Sequence, residues 1–573
     1  KLENILNVSL DATEDELRKA DSLSTGYNWR DNTWEIIVKY SGSLESIRNR
    51  YNVYIKELLN YYAIIVADKA TIELISQEDV IDYVEKPKSL YYQIERTKTA
   101  ACVGSVRADG NILSGKGVIV GVIDTGIDIF DNAFRNSDGT TRILNIYDQT
   151  TGEKYDKQSI DEYIRLNEDL SGGTFSYDNA PGVDNIMHGT DVSYIAAGSL
   201  GVAYEADIIA VKMGYSINNQ FPRTTSLMDA IDYIIRKAIE YRKPVAVNIS
   251  YGCNYGAHNG NTLLESFIDD ISKSYRCVIC VGSGNEADKA IHFGGIINTG
   301  QVQTAYLSVG EYQSAIDIQI WKNYWDTIDV MLINPRGEQI GIITEGRINR
   351  YETYNTEIIT LLGEPSPYNI YQEIYINLIP KTDYILSGIW QIVLMAGSIR
   401  AGEYNIWLPS SQALGYATAF NNPTADGTIT IPATARNCIA VGAYNAYTNS
   451  YAAFSGRGFD NSIRNVNAGV KPDITAPGVD ISIARQRGND ITYRNVTGTS
   501  YAVPVVTGAA ALLMQWGIVM GNDRFMYGEK LKAALIDGSK PVGLVGITRN
   551  DNQPDPRTGW GAVCLKNTLN KIL

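Results

Sequence analysis

The sequence predicts an α/β protein with a mostly parallel sheet, preceded by a small α+β unit and interrupted by an all-β insertion. Three observations carry this prediction. Between residues 110 and 300, continuous apolar runs alternate with helical segments, which is typical of βαβ units with helices on both faces of the sheet. Between 300 and 430, short alternating segments separated by Gly, Pro and Asn take over, and the apolar runs then resume. A shorter α+β pattern precedes both, at residues 34–86.

The leading unit alternates between strand and helix signals. WEIIVKY, YYAIIVA and VIDYVEKP have the composition of strands, whereas LESIRNRY and KATIELISQ have helical spacing. One further helix is predicted in DATEDELRKADSL, within an otherwise polar stretch. We therefore predict an N-terminal domain at residues 1–93.

The central region has the apolar runs of buried parallel strands. They lie in GVIVGVIDTGID and at residues 206–213, 244–250 and 277–284, with helices predicted at 227–241 and 262–275. The insertion contains AIDIQIWKNYW, TIDVMLINPRG, QEIYINLIP, GIWQIVLMAGSI and GEYNIWLP, which favour a β-sandwich or jelly roll. The predicted boundaries are 94–299 for the first part of the α/β domain, 300–430 for the insertion and 431–573 for the second part.

Charge and composition exclude several classes of partner. The formal net charge is −14, which argues against nucleic acid and anionic membranes because both require a basic surface. No run reaches about 18 consecutive apolar residues, so we expect no transmembrane helix, and no signal peptide is visible. The protein is expected to be soluble.

The six cysteines are scattered along the chain, and only two are close in sequence. Cys277 and Cys280 have the spacing of a zinc ligand pair but lie in the apolar run CVICVGSG. A second CxxC and flanking His ligands are missing, so the alternatives are a metal site and two buried strand cysteines.

Three polar residues lie where open α/β sheets usually have their binding and catalytic sites, at strand ends and helix starts. Asp124 ends the apolar strand of VIDTG, His188 precedes a predicted helix, and Ser500 begins an apolar helix. Taken singly, Asp124 could be a turn cap and Ser500 a helix N-cap. The other two histidines, His258 and His292, lie in no motif and are interpreted as surface or core residues.

Together these segments resemble the signatures of the subtilisin family, the subtilases. VIDTGID, HGTDVSYIAAG and GTSYAVPVVTGAAALL occur in the order Asp, His, Ser of that family. The resemblance implies a serine endopeptidase in which Ser500 attacks the scissile carbonyl, His188 takes its proton and Asp124 holds the imidazole. Asn285, in GSGN, would donate to the oxyanion, with a plain turn residue as the alternative.

The resemblance also implies a set of substrate-binding residues. Met213 and Gly214 follow the strand that would pair with substrate, and two further segments would form the walls of the specificity pocket. These segments contribute Ser250, Tyr251, Gly252, Gly282, Ser283 and Gly284. The pocket is small and neutral, so no charged side chain is demanded of the substrate. Met187, Ser193, Tyr194 and Tyr501 depart from the usual family residues, which puts substrate preference in doubt more than activity.

Subtilases often carry a prodomain that assists folding and inhibits the zymogen until it is cleaved. Residues 34–90 resemble such a unit, and the tail SLYYQIERT places the predicted self-cleavage after Gln93. The alternative is a permanent accessory domain. A leading prodomain with a β insertion resembles subtilases of anaerobic Firmicutes, which include the clostridial germination-specific proteases.

The resemblance sets the remaining expectations. The expected partners are a protein or peptide substrate and the chain's own prodomain, and the expected location is secreted or spore-associated. No cofactor or metal is assigned: calcium is common in subtilases, and Asp128 and Asp131 are available, but no calcium-binding loop is present. The alternative function is a catalytically silent subtilase-fold sensor or binding protein. Such proteins have lost triad residues, whereas all three are present here.

Overall fold

The computed structural model describes most of the chain. The ranges are 1–89, 91–92, 107–108, 111–171, 180–214, 221–341, 343, 346–459, 469–487, 490–543 and 554–573. Gln93, the predicted self-cleavage residue, and Cys102 lie outside the described residues.

The N-terminal region consists of three short helices followed by an antiparallel sheet with two helices. Its helices are α1 (Asn4–Asp11), α2 (Glu14–Lys19), α3 (Asp21–Ser24), α4 (Glu45–Tyr51) and α5 (Lys69–Gln77). Its strands are β1 (Tyr27–Asn28), β2 (Thr33–Tyr40), β3 (Tyr54–Glu57), β4 (Tyr62–Ala67) and β5 (Ile81–Glu85), and β6 (Tyr91–Tyr92) follows. The strands and helices predicted between 34 and 86 are confirmed. Helix α1 and strand β3 were not predicted.

The first part of the α/β region follows. Its strands are β7 (Arg107–Ala108), β8 (Asn111–Ile112), β9 (Ile119–Asp124), β10 (Ile143–Asp148), β11 (Glu153–Asp156), β12 (Asp207–Lys212), β13 (Val245–Ile249), β14 (Tyr251–Gly252) and β15 (Cys277–Gly282). Its helices are α6 (Lys157–Ser171), α7 (His188–Ala197), α8 (Thr224–Tyr241) and α9 (Leu263–Ser274). The four apolar runs predicted as strands are therefore β9, β12, β13 and β15.

The insertion consists of two antiparallel sheets that enclose a common apolar core. Its strands are β16 (His292–Ile296), β17 (Val302–Val309), β18 (Ile316–Asn323), β19 (Ile328–Ile333), β20 (Gln339–Ile340), β21 (Ile348–Glu352), β22 (Thr356–Leu362), β23 (Tyr371–Pro380), β24 (Gly388–Ala396), β25 (Glu403–Trp407) and β26 (Ala419–Phe420). One sheet has the order β16-β25-β18-β23-β22-β21 and the other β20-β19-β24-β17-β26. Because β16 pairs with β25, this sheet begins before the predicted boundary at residue 300.

The second part of the α/β region completes the sheet. Its strands are β27 (Ile439–Asn445), β28 (Ser450–Tyr451), β29 (Ile474–Pro477), β30 (Ile481–Arg487) and β31 (Asp490–Val496), and its helices are α10 (Thr499–Met514), α11 (Gly528–Asp537) and α12 (Leu565–Ile572). The main sheet has the order β11-β10-β12-β9-β13-β15-β27-β28, with β29 on β27. Only β11 and β28 pair antiparallel, so the carboxyl ends of the central strands meet at one edge.

Helices cover both faces of this sheet. Helices α7 and α10 pack on one face, and α8 and α9 pack on the other. Among the described residues one helical stretch, Thr499–Val519, is apolar and long enough to cross a membrane. However, 83% of its most apolar window is buried inside the protein, and it belongs to the core beneath the sheet.

The N-terminal region packs on both other parts of the protein. It contributes Ile37, Leu58, Tyr62, Ile64 and Tyr83 to the core formed by α8 and α9. Its helices and the opposite face of its sheet share a second core with four side chains of the insertion, Ile359, Leu361, Tyr375 and Ile379. Each fully buried large apolar side chain contributes about 1.5–3 kcal/mol, so this region is held to two partners by apolar burial.

Candidate active site

Asp124 and His188 form the centre of the candidate site. Asp124 is the last residue of the central strand β9, and His188 is the first residue of α7. His188 Nδ1 lies 2.6 Å from Asp124 Oδ1, and both side chains are buried. A strand end and a helix start approach this closely because Gly189 has no side chain: a Cβ there would lie 2.3 Å from the Gly126 carbonyl.

The charge of the imidazole is controlled by buried carboxylates. Burial by itself disfavours the protonated ring, but the adjacent Asp124 carboxylate, followed by Asp191 and Asp184, outweighs it. The result is that the pKa of His188 is raised above its ordinary value. An imidazole whose charged form is stabilised in this way is suited to accept a proton during a reaction.

Ser500 is the second residue of α10 and is fully buried. The preceding Gly498 has φ 149°, and the chain enters the helix directly after it. The next residue, Tyr501, places its ring 5.3 Å from the imidazole of His188 in an edge-on arrangement. The start of α10 therefore lies beside the start of α7, which brings the predicted nucleophile and base to the same end of the sheet.

The amide of Asn285 is oriented by the residue that precedes Ser500. Asn285 Oδ1 accepts the Thr499 N–H at 3.0 Å and the Thr499 hydroxyl at 3.1 Å. This leaves the amide nitrogen, Nδ2, buried and without a hydrogen-bond partner among the described residues. His188 Nε2 is likewise buried and unpartnered within the described part of the chain. Two donors or acceptors are thus available at the place where the predicted reaction needs them.

The segment Ser250–Gly252 forms the predicted wall of the substrate site. Ser250 Oγ accepts from Asn248 at 3.0 Å and lies 3.4 Å from the Ser500 carbonyl oxygen. The two following residues form β14, which pairs antiparallel with β6. In this register Tyr251 faces Tyr92 and Gly252 faces Tyr91. The tail of the N-terminal region is therefore bound as an additional strand on the predicted substrate wall.

The remaining predicted substrate residues lie at strand ends of the same sheet edge. Met213 and Gly214 follow β12; the Met213 N–H donates to the Asp124 carbonyl, and Gly214 N–H donates to Gln149. Gly282 ends β15, and the turn after it is left-handed at Gly284, with φ 95°. All eight predicted substrate residues are buried. Of these segments, only Tyr251–Gly252 pairs with the N-terminal tail within the described residues.

The cysteine pair does not form a metal site. Cys277 and Cys280 are three residues apart in a strand, so their side chains lie on opposite faces, and they belong to the two different cores of the sheet. Among the described residues no group of three His, Cys, Asp or Glu side chains could hold a metal ion. Asp128 and Asp131 accept backbone N–H groups of Phe130 and Ala133, respectively.

The two other histidines are core residues. His258 and His292 each stack on Trp407, with ring centroids at 4.1 and 4.9 Å. Sequence analysis missed a different feature, a set of charged residues around His188. Asp191 and Arg485 are buried there and contact each other. The available signal was a charged residue inside the otherwise apolar helix DVSYIAAG.

Two family models match this chain over most of its length. The model of the subtilase family matches residues 115–365 and 401–561, and the model of the Csp protease B prodomain matches residues 1–88. Among solved structures, the chain is similar to the Clostridium perfringens CspB protease, with 34% identity and a TM-score of 0.73 over 80% of this chain and 94% of that one.

Curated relatives match over a shorter length. The chain is 33% identical over 128 residues to the subtilase-type proteinase RRT12 of Saccharomyces cerevisiae, which is 22% of this chain and 23% of that protein. It is 34% identical over 120 residues to the subtilisin-like protease 10 of Arthroderma otae, or 21% of this chain and 27% of that one. The match therefore spans about a quarter of the length of these relatives.

Proposed function

Since this chain belongs to the subtilase family, we propose that it is a serine endopeptidase whose triad is Asp124, His188 and Ser500. The observation that carries the proposal is the 2.6 Å contact between His188 Nδ1 and Asp124 Oδ1. His188 Nε2 has no hydrogen-bond partner among the described residues and is available to accept the proton of the nucleophile. Asn285 supplies the second element of the chemistry, because its amide N–H₂ is turned toward the site by Thr499.

The proposed reaction follows from these positions. Ser500 Oγ attacks the carbonyl carbon of the scissile bond and transfers its proton to His188 Nε2. The imidazolium is stabilised by Asp124, and the negative oxygen of the tetrahedral intermediate accepts hydrogen bonds from Asn285 Nδ2 and the Ser500 backbone N–H. His188 then protonates the leaving amine, and water releases the acyl group from Ser500 by the same steps in reverse.

The N-terminal region is proposed to be a prodomain that the enzyme cleaves itself. Its match to the Csp protease B prodomain covers residues 1–88, and its tail strand pairs with Tyr251–Gly252. In that register the next position on the substrate wall is Ser250, which touches the Ser500 carbonyl. If the chain continued in extended form past Tyr92, Gln93 would be the residue opposite Ser250. We therefore place the cleaved bond after Gln93.

The proposed substrates are proteins or peptides with an extended segment that replaces the tail strand. The walls Ser250–Gly252 and Gly282–Gly284 carry no charge, so a polar uncharged residue such as glutamine fits before the cleaved bond. Cleavage of a peptide panel tests this: peptides with Gln at that position should be among the good substrates, and a strict requirement for Lys or Arg would contradict the assignment.

The activity is tested by intact-mass analysis of the wild type beside Ser500→Ala. Wild type should separate into a fragment ending at Gln93 and the remainder, whereas the variant should stay whole. A fluorophosphonate should label the mature wild type at Ser500, because only an activated serine reacts with it. If wild type stays whole and takes no label, the chain is a catalytically silent member of the fold.

A further inference from the structure

Asp191 is a buried carboxylate one helical turn beyond His188. Both residues lie in α7, at positions i and i+3, so their side chains lie on the same side of the helix. The Asp191 side chain is 0% exposed. An isolated carboxylate at such a place would be strongly disfavoured, so the groups that compensate it define how the start of α7 is held.

Two arginines from the hairpin β30–β31 compensate this charge. Arg485 donates to Asp191 Oδ1 through Nε at 3.1 Å and also through Nη2. Arg494 Nη2 lies 2.6 Å from Asp191 Oδ2. Arg485 is itself buried, whereas 41% of the Arg494 side chain is exposed. Ion pairs thus link the hairpin that precedes α10 to α7, the helix that begins at His188.

Arg485 also binds the peptide group that precedes His188. Its Nη2 donates to the Met187 carbonyl at 3.0 Å, and Asp184 accepts the Met187 N–H at 2.7 Å. Met187 has φ 68°, a left-handed conformation that is costly for a residue with a Cβ. One guanidinium therefore contacts the chain on both sides of His188, at a backbone position that needs external support.

Arg494 is linked to the imidazole through Tyr501. It hydrogen bonds with the hydroxyl of Tyr501, whose ring lies edge-on to His188. The charged or titratable groups around His188 therefore come from four elements. They are Asp124 on β9, Asp184 and Asp191 at α7, Arg485 and Arg494 on the hairpin, and Tyr501 on α10.

We propose that Asp191, Arg485 and Arg494 are positioning residues for His188: they hold the imidazole against Ser500 and set its charge state. This rests on the proposed peptidase function and adds to it a device outside the triad. A purely structural role would predict that their loss lowers only stability. A positioning role predicts that the pH dependence of the reaction moves, and that it moves in opposite directions for loss of the acid and loss of an arginine.

The direction of each pH shift follows from the charge that the variant removes. Asp191→Asn removes a negative charge near His188 and leaves two arginines uncompensated, which disfavours the imidazolium. The acid limb of kcat/KM should therefore shift to lower pH, by roughly 0.5–1 pH unit. Arg494→Gln removes a positive charge, and its acid limb should shift to higher pH. Arg485→Lys keeps the charge but loses the two-sided contact, so kcat should fall roughly 10–100-fold with KM little changed.

The experiment measures self-cleavage of the full chain and peptide cleavage by the mature enzyme between pH 5 and 9. Arg557→Gln is the matched control, because Arg557 also pairs a partly exposed guanidinium with a buried carboxylate, Asp555, outside the site. Thermal melting identifies variants that fail to fold. If Asp191→Asn fails to fold, Arg494→Gln still tests the proposal. Arg494 is partly exposed, and in this variant the acid limb of kcat/KM must move to higher pH.

The outcomes are distinguishable. Shifts of opposite sign in Asp191→Asn and Arg494→Gln, with none in Arg557→Gln, support the proposal. Folded variants with the pH profile and kcat of wild type overturn it, even if their melting temperatures fall. If wild type itself neither cleaves nor takes the fluorophosphonate label, the proposed peptidase function fails instead.

Discussion

Thr499 holds the amide of Asn285 in one orientation. Its backbone N–H and its hydroxyl donate to the same oxygen, Asn285 Oδ1, at 3.0 and 3.1 Å. The two residues are separated by 214 positions: Asn285 precedes the β insertion in the sequence, and Thr499 follows it. The amide that would stabilise the oxyanion is therefore oriented by Thr499, the residue next to Ser500. The oxyanion-binding group and the proposed nucleophile are thus positioned together.

Loss of this donor should slow the chemical step. Asn285→Ala is expected to lower kcat by about 10²–10³ with a small change in KM, because the donor acts on a charge that exists only in the transition state. Thr499→Val removes one of the two bonds that orient the amide and should have a smaller effect. Steady-state kinetics on one peptide measures both variants. Equal kcat for Asn285→Ala and wild type would contradict the oxyanion role.

The pH profile of the wild type should reflect the raised pKa of His188. The imidazole must be neutral to accept the Ser500 proton, so activity is lost as pH falls through its pKa. Because Asp124 and the neighbouring carboxylates raise that pKa above the ordinary 6.5, the acid limb of kcat/KM should have its midpoint above pH 6.5. A midpoint below 6 would show that burial dominates instead. In Asp124→Asn, kcat should fall by about 10⁴.

Local motifs indicated the proposed triad, whereas no local motif indicated the residues around it. Asp124, His188 and Ser500 each lie in a short segment whose strand or helix is visible from its own apolar pattern. Asp191 and Arg485 are 294 positions apart, and no periodicity links them. Charged residues are usually exposed, so sequence reasoning assigns them to the surface by default.

The limits of the insertion were missed for a related reason. Strand β16 has the sequence HFGGI, whose two glycines weaken a strand signal. It is a strand because it pairs with β25, over a hundred residues later in the chain. Pairings over such distances are determined by the folded sheet, so the predicted start at residue 300 followed the local pattern and excluded β16.

The prodomain should remain bound after cleavage. Its sheet is buried on α8 and α9, where the Tyr62 ring lies 5.1 Å from that of Phe267, and its helices share a core with the insertion. Size-exclusion chromatography of the cleaved protein should show both fragments in one peak. Tyr62→Ala removes an aromatic contact and should release the fragment at a lower urea concentration. Release from the wild type on simple dilution would contradict a two-sided apolar attachment.

Thiol reagents should find no reactive cysteine among the described residues. Cys253, Cys277, Cys280, Cys438 and Cys564 are all buried and unpaired. Burial raises the pKa of the Cys277 and Cys280 thiols to about 12, so the reactive thiolate is scarce at neutral pH. Because Cys102 lies outside the described residues, the experiment uses Cys102→Ser. Ellman's reagent should detect no thiol in the folded variant and five in guanidinium chloride, and fast native labelling would contradict the burial.

Glu373 is a buried acid on the insertion, at the place where the insertion meets the prodomain. Its carboxyl accepts hydrogen bonds from Asn4 of the prodomain and Gln319 of the insertion. Burial, reinforced by the nearby Glu3, raises the pKa of Glu373 from 4.5 to about 8. The folded protein thus binds a proton here between pH 4.5 and 8 that the unfolded chain releases. Stability falls with rising pH over that window.

Glu373→Gln should remove this pH dependence, because an amide cannot ionise and Asn4 can rotate to pair with it. At pH 9 the variant should be more stable than wild type by up to roughly 4–5 kcal/mol, and at pH 5 the two should be similar. Melting temperatures at pH 5, 7 and 9 measure this difference. Glu352→Gln, on an exposed strand of the same insertion, is the control and should melt in parallel with wild type. Parallel curves for Glu373→Gln as well would mean that Glu373 is ionised in the folded protein. In that case the prodomain junction would be held by charge, and raising the pH would not loosen it.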